Sequence, residues 1–414
     1  MTLIAYKYRL KPNQSQQVQF SEHFGHNRFV YNWALALKQR YYRRFAKTVS
    51  KRRIQDQLVK KKKQTRFLWL KNVNSQSLLF TLLQLDLAFG RFFKQQTQFP
   101  RFKSKYTSKR TFSCPQHVAV DFEENGVKLP KIGWVKAVLH REFEGKIKTT
   151  TVKQLPSGKY EVSILVDTLD VLPVKAVIEE DKTIGVDLGV KIFAYCSDHT
   201  VISNPKFLNK SLERLGAEQR ILARKKKGGK QRATQVNRVA RQHEKIKNQR
   251  KEFLHQITAM LAVKSHATSF VIEDLNVKSM LTTKQLSRLI ADTGMGLFRS
   301  LLSYKCERSG KNLLIIDRYF PSSKTCSCCQ HVKTELTLSD RVYTCNHCQL
   351  EIDRDYNAAI NIKNEGLKLE LAGTVRTVKC SSNAKPIQVG ALAKGYIAKY
   401  IRSVEAPTRT VLTV

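Results

Sequence analysis

At 414 residues the chain has room for several domains, and 74 Lys+Arg against 33 Asp+Glu leave a formal charge of +41. Ordinary solubility needs far less charge of one sign, so the expected partner is a long polyanion. The basic residues are spread along the chain, which excludes a basic tail as their source, and no apolar run of about 18 residues marks a membrane span.

Met1-Thr2-Leu3-Ile4-Ala5 runs straight into Tyr6-Lys7-Tyr8-Arg9, which is no secretory signal. Ile4, Tyr6, Tyr8 and Leu10 alternate with polar residues and predict a first strand, broken at Lys11-Pro12. A long helical pattern follows, with Phe20, Phe24, Val30, Trp33, Leu37 and Tyr41 on its apolar side. Lys51 to Arg66 is basic and polar, and reads as a loop facing nucleic acid. Leu78, Leu82, Leu85, Phe89 and Phe92 then predict a second amphipathic helix starting near Asn74-Ser75-Gln76. Residues 13–95 therefore read as a helical insertion. Phe99-Pro100-Arg101-Phe102-Lys103 interleaves rings and cations, a pattern suited to bases and phosphates together. From Phe112 to Val166 the texture is β: Leu129 to Val135, Lys146 to Val152 and Tyr160 to Val166 read as strands, with a turn at Pro156-Ser157-Gly158. With the first strand they predict a β-barrel split by the helical insertion. Leu172 to Lys182 reads as a linker.

Thr183-Ile184-Gly185-Val186-Asp187-Leu188-Gly189 is a short apolar strand presenting one carboxylate between glycines. Such a strand lets another backbone, a phosphate or a metal approach closely. Phe193-Ala194-Tyr195-Cys196 is its expected partner. Between Arg220 and Lys251, Arg224, Lys225, Lys226 and Lys227 lead a run of cations with almost no acidic partners; two helices broken at Gly228-Gly229, facing phosphate, fit it. A helix over Phe253–His266 leads to the strand ending at Glu273, then a polar loop, a helix over Thr293–Arg308 and the strand Leu313–Ile316. Asp353-Arg354-Asp355-Tyr356-Asn357-Ala358-Ala359 opens a last helix. Strands, helical crossovers and three acids fit a ribonuclease-H-like α/β core. Three carboxylates from separate segments, converging at one sheet end, could hold a pair of hard divalent cations, Mg²⁺ or Mn²⁺, for phosphodiester cleavage.

Five of the nine cysteines fall between Cys326 and Cys348, which reads as metal binding in a reducing compartment. Cys326/Cys329 and Cys345/Cys348 are two C-x₂-C knuckles separated by 15 residues, the spacing of a four-thiolate zinc ribbon. Cys328 is spare, and His347 is expected outside the ligand set. Four thiolates leave no open position, so this Zn²⁺ would support folding and not catalysis. Past Lys368 no period is visible, and the last 40 or so residues read as poorly ordered.

Taken together, Phe29-Val30-Tyr31-Asn32, Phe99-Pro100-Arg101-Phe102-Lys103, Gly185-Val186-Asp187-Leu188-Gly189, Ile272-Glu273-Asp274-Leu275, Phe320-Pro321-Ser322-Ser323-Lys324-Thr325-Cys326 and Asp353 to Ala359 resemble, in this order, the TnpB family. These are RNA-guided nucleases of bacterial and archaeal insertion sequences, related to the type V CRISPR effectors. The resemblance implies a multidomain α/β protein: a wedge-type β-barrel (1–12 and 96–180), a helical recognition lobe (13–95), a RuvC-like nuclease (181–320 and 350–370), a zinc ribbon (321–349) and a tail (371–414). It implies a catalytic, Mg²⁺-holding triad of Asp187, Glu273 and Asp355, the last chosen over Asp353 because the family's acid stands two residues before the Asn. It further implies a prokaryotic cytoplasmic ribonucleoprotein, monomeric, with a guide RNA from its own element and double-stranded target DNA as partners and no membrane. Ser75 and Gln76 are the candidates for reading the motif beside the target. An RNA-independent nuclease or transposase-type protein, or a regulator that binds without cutting, are the alternatives.

Overall fold

The alternating residues at the start form β1 (Leu3–Leu10), with Tyr6, Tyr8 and Leu10 buried, in a computed structural model that describes residues 2–282, 286–337 and 340–373. The expected tail lies, beyond Gly373, outside the described residues. Asn13 and Gln16 make a capping box that starts α1 (Gln14–Phe45). The basic stretch after it is a helix, α2 (Lys51–Lys63), and not a loop. Ile54 and Leu58, one turn apart, are both buried and give the lysines an anchored apolar stripe. A 3₁₀ segment, Thr65–Lys71, leads to α3 (Ser75–Phe93). These helices close on Val30, Leu35, Ile54, Leu70, Leu78 and Leu82.

Six further strands complete the first unit: β2 (Arg110–Cys114), β3 (Ala119–Asp121), β4 (Gly126–Leu129), β5 (Gly133–Val138), β6 (Lys146–Gln154) and β7 (Tyr160–Asp167). The stretch read as one strand over Leu129–Val135 is a hairpin. Lys131 (φ 68°) and Gly133 (φ 83°) turn the chain between β4 and β5. The order β2-β6-β7-β1-β5-β4-β3 is antiparallel throughout. Its two outer strands are not paired to each other, so the expected barrel is an open sheet in its hydrogen bonding. One apolar cluster still runs through it, from Phe112 to Val135, with Phe20 and Phe24 of α1 inserted.

The chain divides into two compact units at Val171/Leu172. The segment read as a linker stays with the second unit: Ala176 N–H donates to the Gly310 carbonyl, and Asn312 Nδ2 to the Ala176 carbonyl. Then come β8 (Thr183–Leu188), β9 (Ile192–Cys196), β10 (Val201–Ser203) and the helical hairpin α4 (Phe207–Arg224) and α5 (Lys230–Ala259). The Phe253 segment continues α5 and ends in a π-helical turn, Met260–Lys264, before β11 (Ser269–Glu273). The polar loop expected over 278–289 instead contains most of α6 (Val277–Met280) and the start of α7 (Ser287–Thr293); α8 (Met295–Arg308) and β12 (Asn312–Ile316) follow.

The sheet order is β10-β9-β8-β11-β12, with β8, β11 and β12 parallel. β11 and β12 are apolar on both faces because both faces are covered. A small hairpin, β13 (Val342–Thr344) and β14 (Glu351–Asp353), closes the cysteine segment, and α9 (Arg354–Leu371) returns across β8, β9, β11 and β12. Gly185 permits that return. A Cβ there would sit 2.1 Å from the Ala359 carbonyl oxygen, so only glycine lets the helix backbone rest on the strand.

Candidate active site and cysteine ribbon

Side chains alternate along a strand, so Gly185 and Asp187 share the face on which α9 lies. β8 and β11 run parallel with Val186 opposite Ile272. One step further, this register sets Asp187 beside Glu273 at the carboxyl ends of adjacent strands, where open α/β sheets bind ligands. The third acid arrives with α9. Asp353 caps that helix by accepting from the N–H groups of Asp355 and Tyr356, which places Asp355 in the first turn.

Burial, then the charges of Glu273 and Asp355, push the Asp187 carboxyl up to about 8; Arg354 and the Leu188 N–H oppose them. Burial also raises Glu273, against a hydrogen bond from the Ser322 hydroxyl at 2.5 Å. Asp355 is drawn toward Arg354 (3.2 Å) and Arg341 (3.8 Å). The three predicted acids are therefore brought together electrostatically, though more loosely than the thiols. Among the described residues only the four cysteines hold three or more ligand atoms within 4.8 Å of one another.

Sequence reasoning missed the side chains that position this cluster. Asn357 donates to the Thr325 carbonyl and accepts from the Ser327 N–H; Asn361 donates to the Ser322 and Thr325 carbonyls. Both asparagines are buried. They tie α9, and with it Asp355, to the loop that carries Ser322 and the first cysteine knuckle. Their spacing of one helical turn was visible, but the loop they hold was not. Asp274, next to Glu273, pairs with both Arg299 and Arg318.

Cys326, Cys329, Cys345 and Cys348 converge as their spacing predicts. The Sγ–Sγ separations of 3.6 Å for Cys326/Cys348 and Cys329/Cys345 approach the roughly 3.8 Å edge of a tetrahedron with Zn–S bonds of about 2.3 Å. N–H groups of Cys348 and His347 lower the Cys345 thiol to about 6, while burial and the neighbouring thiols raise Cys326 and Cys329. Cys328 is exposed and stands outside the set; His347 stacks on His331 instead of joining it. Tyr343 is buried beneath the cluster, and β14 carries the ribbon through Asp353. This is a four-thiol centre suited to Zn²⁺.

The predicted nucleic-acid residues fall into three groups. Lys103 is pinned: its backbone exchanges two hydrogen bonds with the Asn32 side chain, and its Nζ lies 3.9 Å from the Tyr31 ring centroid. Two separate motifs of the sequence thus meet. Arg101 is exposed and donates to Gln98, while Lys103, Arg28 and Lys109 help line an open groove. Ser75 is exposed at the start of α3 and accepts from Lys62, with Gln76 behind it. Arg224 ends α4, and Lys225, Lys226 and Lys227 form the turn between α4 and α5.

These features define a strongly basic, multidomain α/β protein with a carboxylate cluster and a four-thiol ribbon tied to one helix. Three family profiles match, described as a probable transposase (residues 161–284), a Cas12f1-like TNB domain (296–362) and a helix-turn-helix domain (1–47). Here the last segment is a strand and the single helix α1. A Streptomyces pristinaespiralis protein named "Putative RNA-guided DNA endonuclease" is 34% identical over 89% of this chain and 90% of its own. InsQ of Escherichia coli K12, named in the same words, is 33% identical over 88% and 92%. The CRISPR-associated endodeoxyribonuclease Cas12f1 of Sulfoacidibacillus thermotolerans is 24% identical over 58% and 59%. A solved Cas12f1–sgRNA–target DNA complex has a TM-score of 0.34 at 17% identity, over 88% of this chain and 99% of that one. The chain belongs to the TnpB (OrfB_IS605) family.

Proposed function

We propose that the protein is an RNA-guided DNA endonuclease of a transposable element, cutting double-stranded DNA beside a short adjacent motif. Family membership supports this, and one observation carries the site: acids from β8, β11 and α9 share a field that lifts Asp187 to about 8. We read 181–320 and 350–370 as a RuvC-like nuclease with Asp187, Glu273 and Asp355 as its triad. The zinc ribbon spans 321–349, residues 1–12 and 96–180 form a wedge-type domain, and 13–95 form the recognition lobe. Arg101, Lys103, Ser75, Gln76 and Arg224 to Lys227 are the proposed nucleic-acid contacts, in a monomeric ribonucleoprotein.

Hard oxygen donors that repel one another fit Mg²⁺ or Mn²⁺. When bound, such ions supply an activated water and neutralise charge at the scissile phosphate. The chain's own residues prepare that chemistry. Ser322 fixes one oxygen of Glu273 by donating a hydrogen bond, and Arg341 and Arg354 restrain Asp355. Asn357 and Asn361 hold α9 in register with the Ser322 loop. Guide pairing would supply sequence specificity, leaving the cations to hold backbone phosphates.

The test is to purify the full chain, sequence the RNA that accompanies it, and offer a matched duplex in Mg²⁺. Guided cutting of both strands supports the proposal. Cutting without RNA would favour the transposase-type alternative, and guided binding without cutting would favour a regulator.

A further inference from the structure

Three rings lead away from the acid cluster, and neither the mechanism nor the core requires them. Tyr195 lies directly opposite Asp187 in the β8–β9 ladder, so its side chain rises from the same face. Tyr356 follows Asp355 at the start of α9, with its ring 5.7 Å from that of Tyr195. His199, on the turn between β9 and β10, stacks on Tyr356 at 4.2 Å with planes 29° apart, and its Nε2 lies 2.8 Å from the Tyr356 hydroxyl. His199 is held in a left-handed conformation (φ 64°) that few side chains adopt. Burial does not explain the arrangement: His199 is exposed and both tyrosines are only partly covered.

We propose that Tyr195, Tyr356 and His199 form a stacking platform for one unpaired nucleobase of the DNA strand entering the acid cluster. His199 is exposed, so a base can extend its stack on Tyr356, the residue next to Asp355. Stacking of this kind is indifferent to base identity, as a guided nuclease requires of its cutting site. The hydroxyl–imidazole hydrogen bond sets the angle of the outer ring. These are positioning residues: they would fix which phosphate faces the acids, not react themselves. The inference rests on the nuclease reading of the same site.

The experiment uses the ribonucleoprotein with its co-purifying RNA and a matched duplex. 2-Aminopurine is walked along the displaced strand, with Ca²⁺ in place of Mg²⁺ to hold the substrate uncut. Fluorescence should be quenched at one position beside the cut. His199→Phe should keep the quenching, and His199→Ala should remove it. In Mg²⁺, His199→Ala should raise KM about tenfold, the size of one lost base stack, and blur the cut over neighbouring phosphates. Tyr356→Phe should fall between, because the ring stays and the hydrogen bond goes. Sharp cutting at an unchanged position with unchanged KM in His199→Ala would overturn the platform while leaving the nuclease reading intact. Absence of guided cutting in the unsubstituted protein would instead remove the reading on which the platform rests.

Discussion

The cysteine centre and the acid cluster are built in opposite ways. The four thiols come from two knuckles within one short segment, and they lie within 4.8 Å of one another around a buried Tyr343. The three acids come from β8, β11 and the first turn of α9, and they are more loosely gathered. The ribbon is therefore a local device, and a Zn²⁺ held by its four thiols would supply much of its stability. The acid cluster depends on a sheet register and on a helix laid across it. Disturbing one centre should leave the other measurable, up to the asparagines that join them.

The largest effect is expected at the ribbon. Structural zinc sites supply apparent binding energies of about 10–16 kcal/mol, which become folding energy. Cys345→Ser should release the zinc, unfold the ribbon and stop cutting, because Asn357 and Asn361 lose the loop they hold. Cys328→Ser should keep one zinc per chain by elemental analysis. Loss of zinc in the Cys328 variant would mean that the knuckles pair differently.

Asp187→Ala should come next. It removes the acid at the centre of the cluster and should slow cutting of both strands about a thousandfold or more, the scale of several kcal/mol of charge stabilisation. Guided target binding should change less than a few fold, and zinc content not at all. If one strand were still cut in Mg²⁺, a second active site would exist.

Gly185→Ala tests the assembly without touching a ligand. A methyl group 2.1 Å from the Ala359 carbonyl must push α9 off β8. A loss of about 3 kcal/mol or more is expected, as for other overpacked cores, read as a lower melting temperature. Activity should fall with it, while zinc stays bound. A variant that cuts normally would show that Asp355 is not delivered by this contact.

How far the sequence discloses each region follows from the same contrast. Thiol ligation is specified by short spacing, so Cys326, Cys329, Cys345 and Cys348 were legible as a set. Asp187 and Glu273 were legible because each ends an apolar strand, but their pairing depends on the parallel register of β8 and β11. Ser322 and Asn361 were not legible, since their roles exist only once α9 meets the loop. The α2 segment was misread because four consecutive lysines hide the two residues, Ile54 and Leu58, that decide its conformation. The β4–β5 hairpin was missed because the first left-handed position of its turn is filled by Lys131, which leaves Gly133 as its one ordinary turn residue in a left-handed conformation.

A pH experiment sharpens the electrostatic half of the comparison. The folded Asp187 carboxyl is raised to about 8 against an ordinary 3.8. The folded state therefore binds this proton more tightly than the unfolded state does, and stability falls as pH rises through that window, levelling off above about 8. In magnesium-free buffer without chelator, which would strip the ribbon, the second unit should lose on the order of 2 kcal/mol between pH 6 and 8.5. Asp187→Asn should flatten that decline, and added Mg²⁺ should oppose it. An equal decline in Asp187→Asn would place its origin elsewhere.

The smallest expected effect separates the two acids of the last motif. Asp353 and Asp355 are two residues apart, and either could be a ligand on composition alone. Asp353 spends a side-chain oxygen on the N–H groups of Asp355 and Tyr356, so its work is to start α9. Asp353→Ala should cost about 1 kcal/mol of stability, the usual size of a lost N-cap. It should reduce cutting only as far as the helix start loosens, and Asp353→Ser, which keeps a capping oxygen, should restore both. Asp355→Ser should restore nothing, because a hydroxyl cannot replace a carboxylate facing Asp187. If Asp353→Ser cut as poorly as Asp355→Ser, Asp353 would do more than cap α9, and the assignment of Asp355 as the one ligand in this turn would fail.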